Sequence, residues 1–264
     1  VTVRRDIGCP AKAFKDKSVD LWGCGALGGV LAEWFVRAGV KKLTLRDFGT
    51  VTPGVLIRQP FYDSDIGHNK AEVLKRHLLD IRPDCEIECD SSNILTTLRN
   101  DLPCDYDLII DATASNLVLT RTEEILKHLK SDRPPLVSCV FGHRVKNGMA
   151  VFVPNKFTGG PLDVVRKLKL WACRDVQLLG FLDDFFPFES RDSFQPEPGC
   201  SDATFIGSAA DCAAMAASIF NWVASVFGSD ESDSAQGVFV RGNQETNQQP
   251  TLVSNTFPPD FVFI

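Results

Sequence analysis

The stretch LWGCGALGGVLAEWFVRAGVKKLTLRD, residues 21–47, decides the fold of this chain. It opens as a short apolar strand, passes through the glycine-rich turn Gly23-x-Gly25-x-x-Gly28, continues as a helix, and closes with a second strand that ends at Asp47. Glycines in this arrangement let the backbone turn sharply and approach phosphates at the positively polarised start of the helix. The stretch therefore predicts a nucleotide-binding strand–turn–helix unit.

The aspartate at the end of this stretch indicates a nucleotide but does not identify which one. Asp47 lies nineteen residues after Gly28, where a carboxylate can bind ribose hydroxyls. That combination fits NAD or FAD as well as it fits ATP. The motif alone does not choose between redox chemistry and nucleotidyl transfer.

The composition is that of an ordinary folded protein. The chain has 264 residues, of which 44% are hydrophobic and 23% charged, enough for one large domain, or a domain with an appendage, with a real core. The net charge of −6 argues against nucleic-acid binding driven by bulk charge. We find no secretory signal and no apolar run of ~20 residues, so we expect a cytoplasmic protein that engages neither nucleic acid nor a membrane. Because the chain begins with Val1 rather than Met, a further N-terminal domain stays open.

Strands and helices alternate through the first part of the chain. The apolar patterns predict strands at 19–24, 42–47, 85–91 and 106–113, and helices at 26–39, 69–81 and 116–130. Two further strands, at 135–145 and 148–154, are joined by the hairpin signal Lys-Asn-Gly. This order predicts an α/β fold, with a Rossmann-like, doubly wound, mostly parallel sheet that continues into an antiparallel part.

The pattern breaks after the last of these strands. Residues 155–207 contain Gly159-Gly160, several prolines and the aromatic cluster FLDDFFPF, and they predict at most a short helix near 162–170. A helix rich in small residues follows at 208–227. We therefore expect a nucleotide-binding Rossmann-like half at 1–155, a crossover segment at 156–207, and a C-terminal helix with strands completing the same domain at 208–264.

Two cations downstream of the ribose acid favour ATP. Arg58 lies eleven residues past Asp47, and Lys70 follows an Asp-Ile-Gly turn at the start of a helix. A reaction at the α-phosphorus of a triphosphate needs cations whose attraction strengthens with the developing charge. A planar, bidentate arginine and a point-charge lysine meet that need. Either residue alone is an ordinary surface cation, but the pair after a ribose carboxylate favours ATP over NAD or FAD.

With these motifs in order, GCGALGG, RAGV, LTLRD, RQ and DIGHNKAE, the chain resembles the ubiquitin-activating, ThiF-MoeB-type adenylating superfamily. That superfamily includes the adenylating enzymes of thiamine and molybdopterin biosynthesis. The wording LWGCGALGG and PGVLIRQ is most similar to bacterial ubiquitin-like-protein activating enzymes of antiviral operons. The resemblance covers about residues 19–155 and returns at 200–217. It implies an eight-stranded sheet and a homodimer.

The resemblance also implies roles for individual residues. Gly25 and Asp47 would contact the nucleotide, and Arg58 and Lys70 would hold its phosphates. The family uses a further arginine near the N-terminus, for which Arg4 and Arg5 are both candidates. The expected nucleotide site then consists of Gly23, Gly25, Gly28, Asp47, Arg58, Lys70 and Asp111.

Two positions depart from the family pattern. Val55 stands where an asparagine usually precedes the phosphate-binding arginine, and Ala114-Ser115 stand where the family has the aspartate associated with magnesium. Asp111 would then be the metal ligand, or Mg²⁺ would rest mainly on the phosphates. Adenylation is therefore organised differently in this chain, or the chain is weakened or inactive. The paired Cys-x-x-Cys zinc ligands usual in the family are also missing.

The cysteines supply a candidate acyl acceptor. None of the nine belongs to a Cys-x-x-Cys pair, so neither a disulfide framework nor a structural zinc site is indicated. Members of the superfamily carry their acceptor cysteine in the crossover loop. Cys200, which follows Pro198 and Gly199, matches that placement. Cys173, beside Arg174, is the second candidate because a neighbouring cation lowers a thiol pKa.

These residues and the resemblance together imply an enzyme with Arg58, Lys70 and Cys200 as its catalytic groups. ATP, with Mg²⁺, would adenylate the C-terminal glycine carboxylate of a ubiquitin-like protein, and a thioester on Cys200 would pass the acyl group to a conjugating enzyme. Two alternatives remain. One is a catalytically weakened scaffold subunit that binds the ubiquitin-like protein or an active partner, favoured by Val55 and Ala114, and the other is an NAD or FAD oxidoreductase. The identity of the carrier, and the choice between a conjugating enzyme and a sulfur donor, stay open.

Overall fold

One mixed sheet organises the molecule. The structure, a computed structural model, describes residues 8–99, 101–129, 133–187, 206–229, 233–242 and 251–257. Its strands are β1 (Ser18–Trp22), β2 (Lys42–Arg46), β3 (Glu86–Asp90), β4 (Leu108–Asp111), β5 (Leu136–Phe141), β6 (Asn147–Val153), β7 (Ala235–Arg241) and β8 (Thr251–Phe257). They form one eight-stranded sheet in the order β3-β2-β1-β4-β5-β6-β7-β8.

Helices cover both faces of this sheet. They are α1 (Gly28–Ala38), α2 (Lys70–Ile81), α3 (Ile94–Thr97), α4 (Asn116–His128), α5 (Pro161–Arg174), α6 (Leu179–Phe185) and α7 (Ala209–Phe227). The core on one face takes side chains from α1, α2 and α7, and the core on the other takes them from α4, α5 and α6. The predicted α/β, doubly wound, Rossmann-like fold is confirmed.

The strand pairing brings three predicted site elements to one edge of the sheet. β3, β2, β1, β4 and β5 run parallel, and β5 through β8 pair antiparallel. In the register, Trp22 of β1 pairs with Arg46 of β2 and with Asp111 of β4. The glycine turn after β1, Asp47 after β2, and Asp111 at the end of β4 therefore lie together at the carboxyl edge, where open α/β sheets bind ligands.

Aromatic packing anchors the layers on the two faces. Phe14 contacts Phe35 of α1 and Phe220 of α7, with ring centroids 4.8 and 5.3 Å apart. On the opposite face, Phe181 of α6 stacks on Phe239 of β7 at 4.5 Å. Burial of a large apolar side chain contributes about 1.5–3 kcal/mol, so these contacts join α1 to α7 through Phe14 and hold α6 against the sheet.

The hairpin between β5 and β6 turns at a different place from the one predicted. The turn comprises residues 142–146, because Phe141 pairs with Gly148 and the N–H of Gly142 donates to the carbonyl of Asn147 at 2.8 Å. Lys-Asn-Gly was expected to form the turn. Asn147 and Gly148 instead belong to β6, where Met215 of α7 packs so closely that a side chain at residue 148 would clash.

The crossover segment contains more helix than expected. We predicted at most a short helix near 162–170, whereas α5 has 14 residues and α6 another 7. Pro161 is the first residue of α5, where the backbone N–H has no partner within the helix, so proline costs nothing there. Val164, Leu168 and Ala172 form the buried apolar stripe of the helix. Lys167 lies on the same side, 4.8 Å from the centre of the Phe157 ring, so a charged residue masks the apolar pattern. The division of the chain at 155 and 207 stays a prediction.

The small-residue helix α7 belongs to the core. By length and composition it is apolar enough to cross a membrane, with a mean hydropathy of 1.3, which corrects our expectation of no such run. Half of this window is buried, and Met215, Ile219 and Phe220 pack against the sheet and α1. These contacts are those of a core helix, and the absence of membrane engagement stays a prediction.

Candidate nucleotide-binding site

The three positions of the turn carry glycine for different structural reasons. Gly23 has φ +86°, and a β-carbon there would lie 2.9 Å from the carbonyl oxygen of Ala112. At Gly28 a β-carbon would lie 1.8 Å from the carbonyl oxygen of Gly23, so only glycine lets α1 start against the turn. Gly25 has open space instead, with Gln59 Nε2 the nearest atom at 3.9 Å. Gly25 is thus the glycine over which a ligand can approach the backbone.

Asp47 is bonded to the glycine turn through its side chain. Its Oδ2 accepts a hydrogen bond from the backbone N–H of Cys24 at 2.6 Å, and its Oδ1 accepts one from Gly49 N–H at 2.7 Å. A carboxylate offers about four acceptor positions. Each oxygen therefore keeps capacity for one more donor, which suits the two vicinal hydroxyls of a ribose.

Lys70 reaches toward the same turn. It is the first residue of α2, and a β-carbon on Gly49 would lie 3.6 Å from the Cδ and Cε atoms of Lys70. Burial raises the pKa of the Cys24 thiol and Asp47 raises it further, whereas the charge of Lys70 acts to lower it. The lysine side chain thus runs past Gly49 and places its charge within electrostatic range of the glycine turn.

The loop that carries Arg58 lies across the start of α1. The carbonyl of Val55 accepts hydrogen bonds from the N–H groups of Arg58 at 3.1 Å and Gln59 at 2.9 Å, which closes a compact turn. Pro60 packs so tightly on Gly29 that a β-carbon there would lie 2.8 Å from the proline ring. Val55 itself is buried in the apolar core at 3% exposure. It therefore presents no polar group in place of the family's asparagine.

The same loop is joined to α7. The carbonyl of Ile57 accepts a hydrogen bond from Ala209 N–H at 2.9 Å. The charge of Arg58 acts to lower the pKa of the Cys212 thiol, which burial raises to about 11. Arg58 accordingly lies between the start of α1 and the first turn of α7. It directly precedes Gln59, whose side-chain amide faces Gly25.

Asp111 is almost fully buried at the end of β4. It accepts hydrogen bonds from the Thr113 N–H at 3.0 Å, the Thr113 hydroxyl at 2.6 Å and the Ser138 hydroxyl at 3.3 Å. Burial raises the pKa of Asp111, and these hydrogen bonds act in the opposite direction. No group of three potential metal-ligating side chains occurs among the residues described. The donor set fits Mg²⁺ only as one carboxylate beside substrate phosphates and water, which is a common way for proteins to hold this ion.

The position that replaces the family aspartate is exposed and adopts a left-handed conformation. Ala114 has φ +55°, a region where aspartate and asparagine are enriched over other non-glycine residues. Ser115 caps α4 from the position just before the helix, with its hydroxyl accepting from Val118 N–H at 3.4 Å. The backbone at residue 114 is therefore suited to an aspartate, although the chain carries alanine there.

The acceptor cysteine and the N-terminal arginine remain predictions. Cys200, Arg4 and Arg5 lie outside the described residues. Cys173, the second candidate, is exposed on α5. Burial raises the pKa of Cys139 and of Cys24, so both are packed thiols rather than nucleophiles.

A cavity of about 520 Å³ lies at the opposite edge of the sheet. Lys17 and Asp107, at the amino ends of β1 and β4, form part of its wall and are paired at 3.0 Å. Lys156 and Asp233, also in its wall, approach to 4.0 Å. Because each lysine has an acidic neighbour, the cavity has no charge that selects a nucleotide. The carboxyl edge is the better candidate site.

Sequence comparison identifies a family for the part of the chain that contains that edge. Residues 7–131, which run from before β1 through the end of α4, match the ThiF family. The chain carries a ThiF-family domain. All the predicted nucleotide-site residues from Gly23 to Asp111 fall within this ThiF domain.

The curated relatives match over less than half of the chain's length. Over 122 residues, 44% of this chain, the sequence is 34% identical to the ATP-dependent ubiquitin transferase-like protein Cap2 of Enterobacter hormaechei subsp. hoffmannii (strain UCI 50), of which the match covers 20%. It is also 34% identical over 131 residues, 47% of this chain, to the adenylyltransferase and sulfurtransferase MOCS3 of Drosophila yakuba, of which the match covers 27%. The chain thus matches only about a fifth to a quarter of these relatives' lengths.

Solved structures extend the likeness of fold beyond the ThiF domain. The chain superimposes on E. coli MccB with ATP with a TM-score of 0.59, covering 95% of this chain and 67% of that one at 21% sequence identity. The later antiparallel strands and the crossover helices are therefore included in the shared fold.

Proposed function

We propose that this chain uses ATP to adenylate the C-terminal carboxylate of a ubiquitin-like protein. The observation that carries the proposal is the carboxyl edge itself, where Asp47 is bonded to the glycine turn and Lys70 lies against Gly49. Asp47 and Lys70, whose side chains are of the kinds that bind a ribose and a phosphate, thus both lie next to Gly49, and the turn bonded to Asp47 leads into the positively polarised start of α1. The ThiF family match and the relatives Cap2 and MOCS3 support adenylation over redox chemistry.

In the first step the carrier's carboxylate attacks the α-phosphorus of ATP. A bond forms between a carboxylate oxygen and phosphorus, the bond from the α-phosphorus to the bridging oxygen breaks, and pyrophosphate leaves with the electron pair. Lys70 and Arg58 stabilise the charge that grows on the phosphate oxygens, and the N–H groups at the start of α1 face the same anion. Asp47 holds the ribose, which orients the phosphate chain along Gly25.

In the second step a thiolate attacks the carbonyl carbon of the acyl-adenylate. The thiol first loses its proton to water, the carbon–sulfur bond then forms, and the bond from the carbonyl carbon to the former carboxylate oxygen breaks as AMP leaves with that oxygen and the electron pair. We assign this role to Cys200, with Cys173 as the alternative, and we propose that the thioester then passes to a conjugating enzyme. We also propose that the protein works as a cytoplasmic homodimer with Mg²⁺ on the phosphates, independent of nucleic acid and membranes.

ATP–pyrophosphate exchange tests the first step. Purified protein, incubated with ATP, labelled pyrophosphate and a ubiquitin-like carrier with a free terminal glycine, should form labelled ATP only when the carrier is present. Lys70→Ala should reduce the exchange by about 10²–10³-fold, the usual cost of removing one group that stabilises developing charge. Lys75→Ala, a lysine on the same helix, is the matched control and should change it little. Equal rates for these two variants would refute the proposal.

The scaffold alternative rests on Val55 and Ala114. If the protein binds the carrier and ATP without catalysing exchange, the scaffold role replaces the enzymatic one. Binding of both by calorimetry, combined with the absence of exchange, would be the deciding result.

A further inference from the structure

Asn69 uses every hydrogen-bonding group of its side chain at the nucleotide edge. Its Nδ2 donates to the carbonyl of Asp47 at 2.8 Å and to the carbonyl of Gly49 at 3.2 Å. Its Oδ1 accepts from the N–H of Ala71 at 2.9 Å and from the N–H of Glu72 at 3.2 Å. Two donors and two acceptor positions are all that an asparagine amide offers. The side chain therefore bridges the strand end that carries Asp47 and the helix that begins with Lys70.

The backbone around Asn69 reinforces the same bridge. Thr50 and Asn69 form an isolated antiparallel β-bridge, and Lys70 N–H donates to the carbonyl of Gly49 at 2.9 Å. Asp47 is held in turn on the glycine turn through Cys24. The loop from 47 to 50 and the first turn of α2 thus form one hydrogen-bonded unit.

We propose that Asn69 is a positioning residue that sets the separation between the ribose carboxylate of Asp47 and the phosphate cation of Lys70. The inference rests on the proposed nucleotide function. Asn69 does not contact the nucleotide. It acts through Lys70, because a lysine whose first backbone turn is tied to the Asp47 loop delivers its charge at a defined distance from the bound ribose.

The residue type matters for this role. Serine or threonine can accept a hydrogen bond at the start of a helix about as well as asparagine does. Neither carries the planar NH₂ group that donates to two carbonyls at once. Asn69→Ser therefore keeps the start of α2 and the backbone bonds of residues 69 and 70, and it removes the two side-chain hydrogen bonds to the carbonyls of Asp47 and Gly49 without a change in charge.

The chain offers a matched control. Asn93 caps α3 as Asn69 caps α2, and its Oδ1 accepts from Leu95 N–H at 3.0 Å, while within the part of the chain that the structure describes its amide group donates no hydrogen bond to another element. Asn93→Ser makes the same chemical change at a helix start that carries no bridge. Asn69→Ser should weaken ATP binding, measured by calorimetry, and raise the KM for ATP in pyrophosphate exchange by about tenfold, while Asn93→Ser should change either by less than about twofold.

A double-mutant cycle separates positioning from general stability. In a Lys70→Ala background, Asn69→Ser should cost less than about twofold in ATP affinity, because the group that it positions is gone. The same tenfold loss of ATP affinity in both backgrounds would overturn the proposal, because an effect of Asn69 that is independent of Lys70 would be equally large with and without the lysine. Asn69→Thr, also neutral and able to start the helix, repeats the cycle if Asn69→Ser does not fold.

The two levels of failure can be told apart. If Lys70→Ala leaves pyrophosphate exchange unchanged, the proposed function fails and the positioning role with it. If Lys70→Ala slows exchange without weakening ATP binding, the proposed function stands and only the positioning role is wrong. If Lys70→Ala weakens ATP binding and Asn69→Ser does not, only the positioning role is wrong.

Discussion

The carboxylate of Asp47 accepts a 2.6 Å hydrogen bond from the backbone N–H of Cys24, which joins the end of β2 to the glycine turn after β1. The residue proposed to hold the ribose and the turn proposed to hold the phosphates therefore share a rigid connection. A ligand that spans both does not have to order them on binding, and such preorganisation favours affinity.

This connection predicts how the site treats ribose hydroxyls. ATP should bind more tightly than 2′,3′-dideoxy-ATP by about tenfold or more, because loss of both hydroxyls leaves the remaining acceptor positions of Asp47 unpaired. In Asp47→Ala the two nucleotides should bind alike. Calorimetric titration of both ligands measures this, and a preference for ATP that survives in Asp47→Ala would show that another residue holds the ribose.

The glycines of the turn should respond differently to one methyl group. Gly25→Ala should fold normally, since its β-carbon meets only Gln59 Nε2 at 3.9 Å, but it should lose ATP binding because the methyl group occupies the ligand's approach. Gly28→Ala should instead lower the thermal midpoint strongly or prevent folding, since its β-carbon would lie 1.8 Å from the Gly23 carbonyl oxygen. Circular dichroism melts and ATP titrations distinguish the two. Normal ATP affinity in folded Gly25→Ala would contradict the placement of the ligand.

The sequence predicted the strands and helices of the first part of the chain well because their signals are local. An apolar strand, a glycine turn and an amphipathic helix each follow from adjacent residues, and the predicted helix at 26–39 corresponds to α1 from Gly28 to Ala38. The order of these units then brings Asp47 and Asp111 to one edge, because parallel strands end on the same side.

The crossover helices and the Asn69 bridge were harder to predict for physical reasons. In α5, Lys167 is buried over an aromatic ring, so the apolar stripe contains a charge and its period is obscured. Asparagine before Lys-Ala-Glu is a recognisable helix-start signal. The hydrogen bonds that Asn69 donates to the carbonyls of Asp47 and Gly49 join residues 22 and 20 positions apart in the sequence, so they exist only in the folded chain.

Asp111 should make stability depend on pH in a defined direction. Burial raises its native pKa above the ordinary 3.8, so the folded protein holds this proton more tightly than the unfolded chain does. The protonated carboxyl of Asp111 therefore makes its full contribution to the free energy of unfolding below the pKa of the unfolded chain. That contribution is lost as the pH rises through the native pKa. Asp111→Asn, which keeps an acceptor for Thr113, should therefore be more thermally stable than the unmodified chain near neutral pH, with the advantage shrinking toward pH ~4. Melting curves across this range test it, and an Asp111→Asn midpoint below that of the unmodified chain at neutral pH would contradict it.

The thioester step makes a separate prediction about two cysteines. Cys200→Ala should retain pyrophosphate exchange and lose the thiol-sensitive carrier adduct on non-reducing gels, since adenylation precedes acyl transfer. Cys173→Ala, at the exposed position on α5, is the matched variant and should retain both. Persistence of the adduct in Cys200→Ala with its loss in Cys173→Ala would move the acceptor to α5.

The fate of the α-phosphate tests the central claim most directly. The protein, a ubiquitin-like carrier and ATP labelled at either the α- or the γ-phosphorus can be followed in parallel reactions. Attack at the α-phosphorus predicts that the α-label appears on the carrier as an acyl-adenylate and then as AMP, while the γ-label appears in pyrophosphate. Release of the γ-label as orthophosphate with the α-label retained in ADP would contradict adenylation at this site.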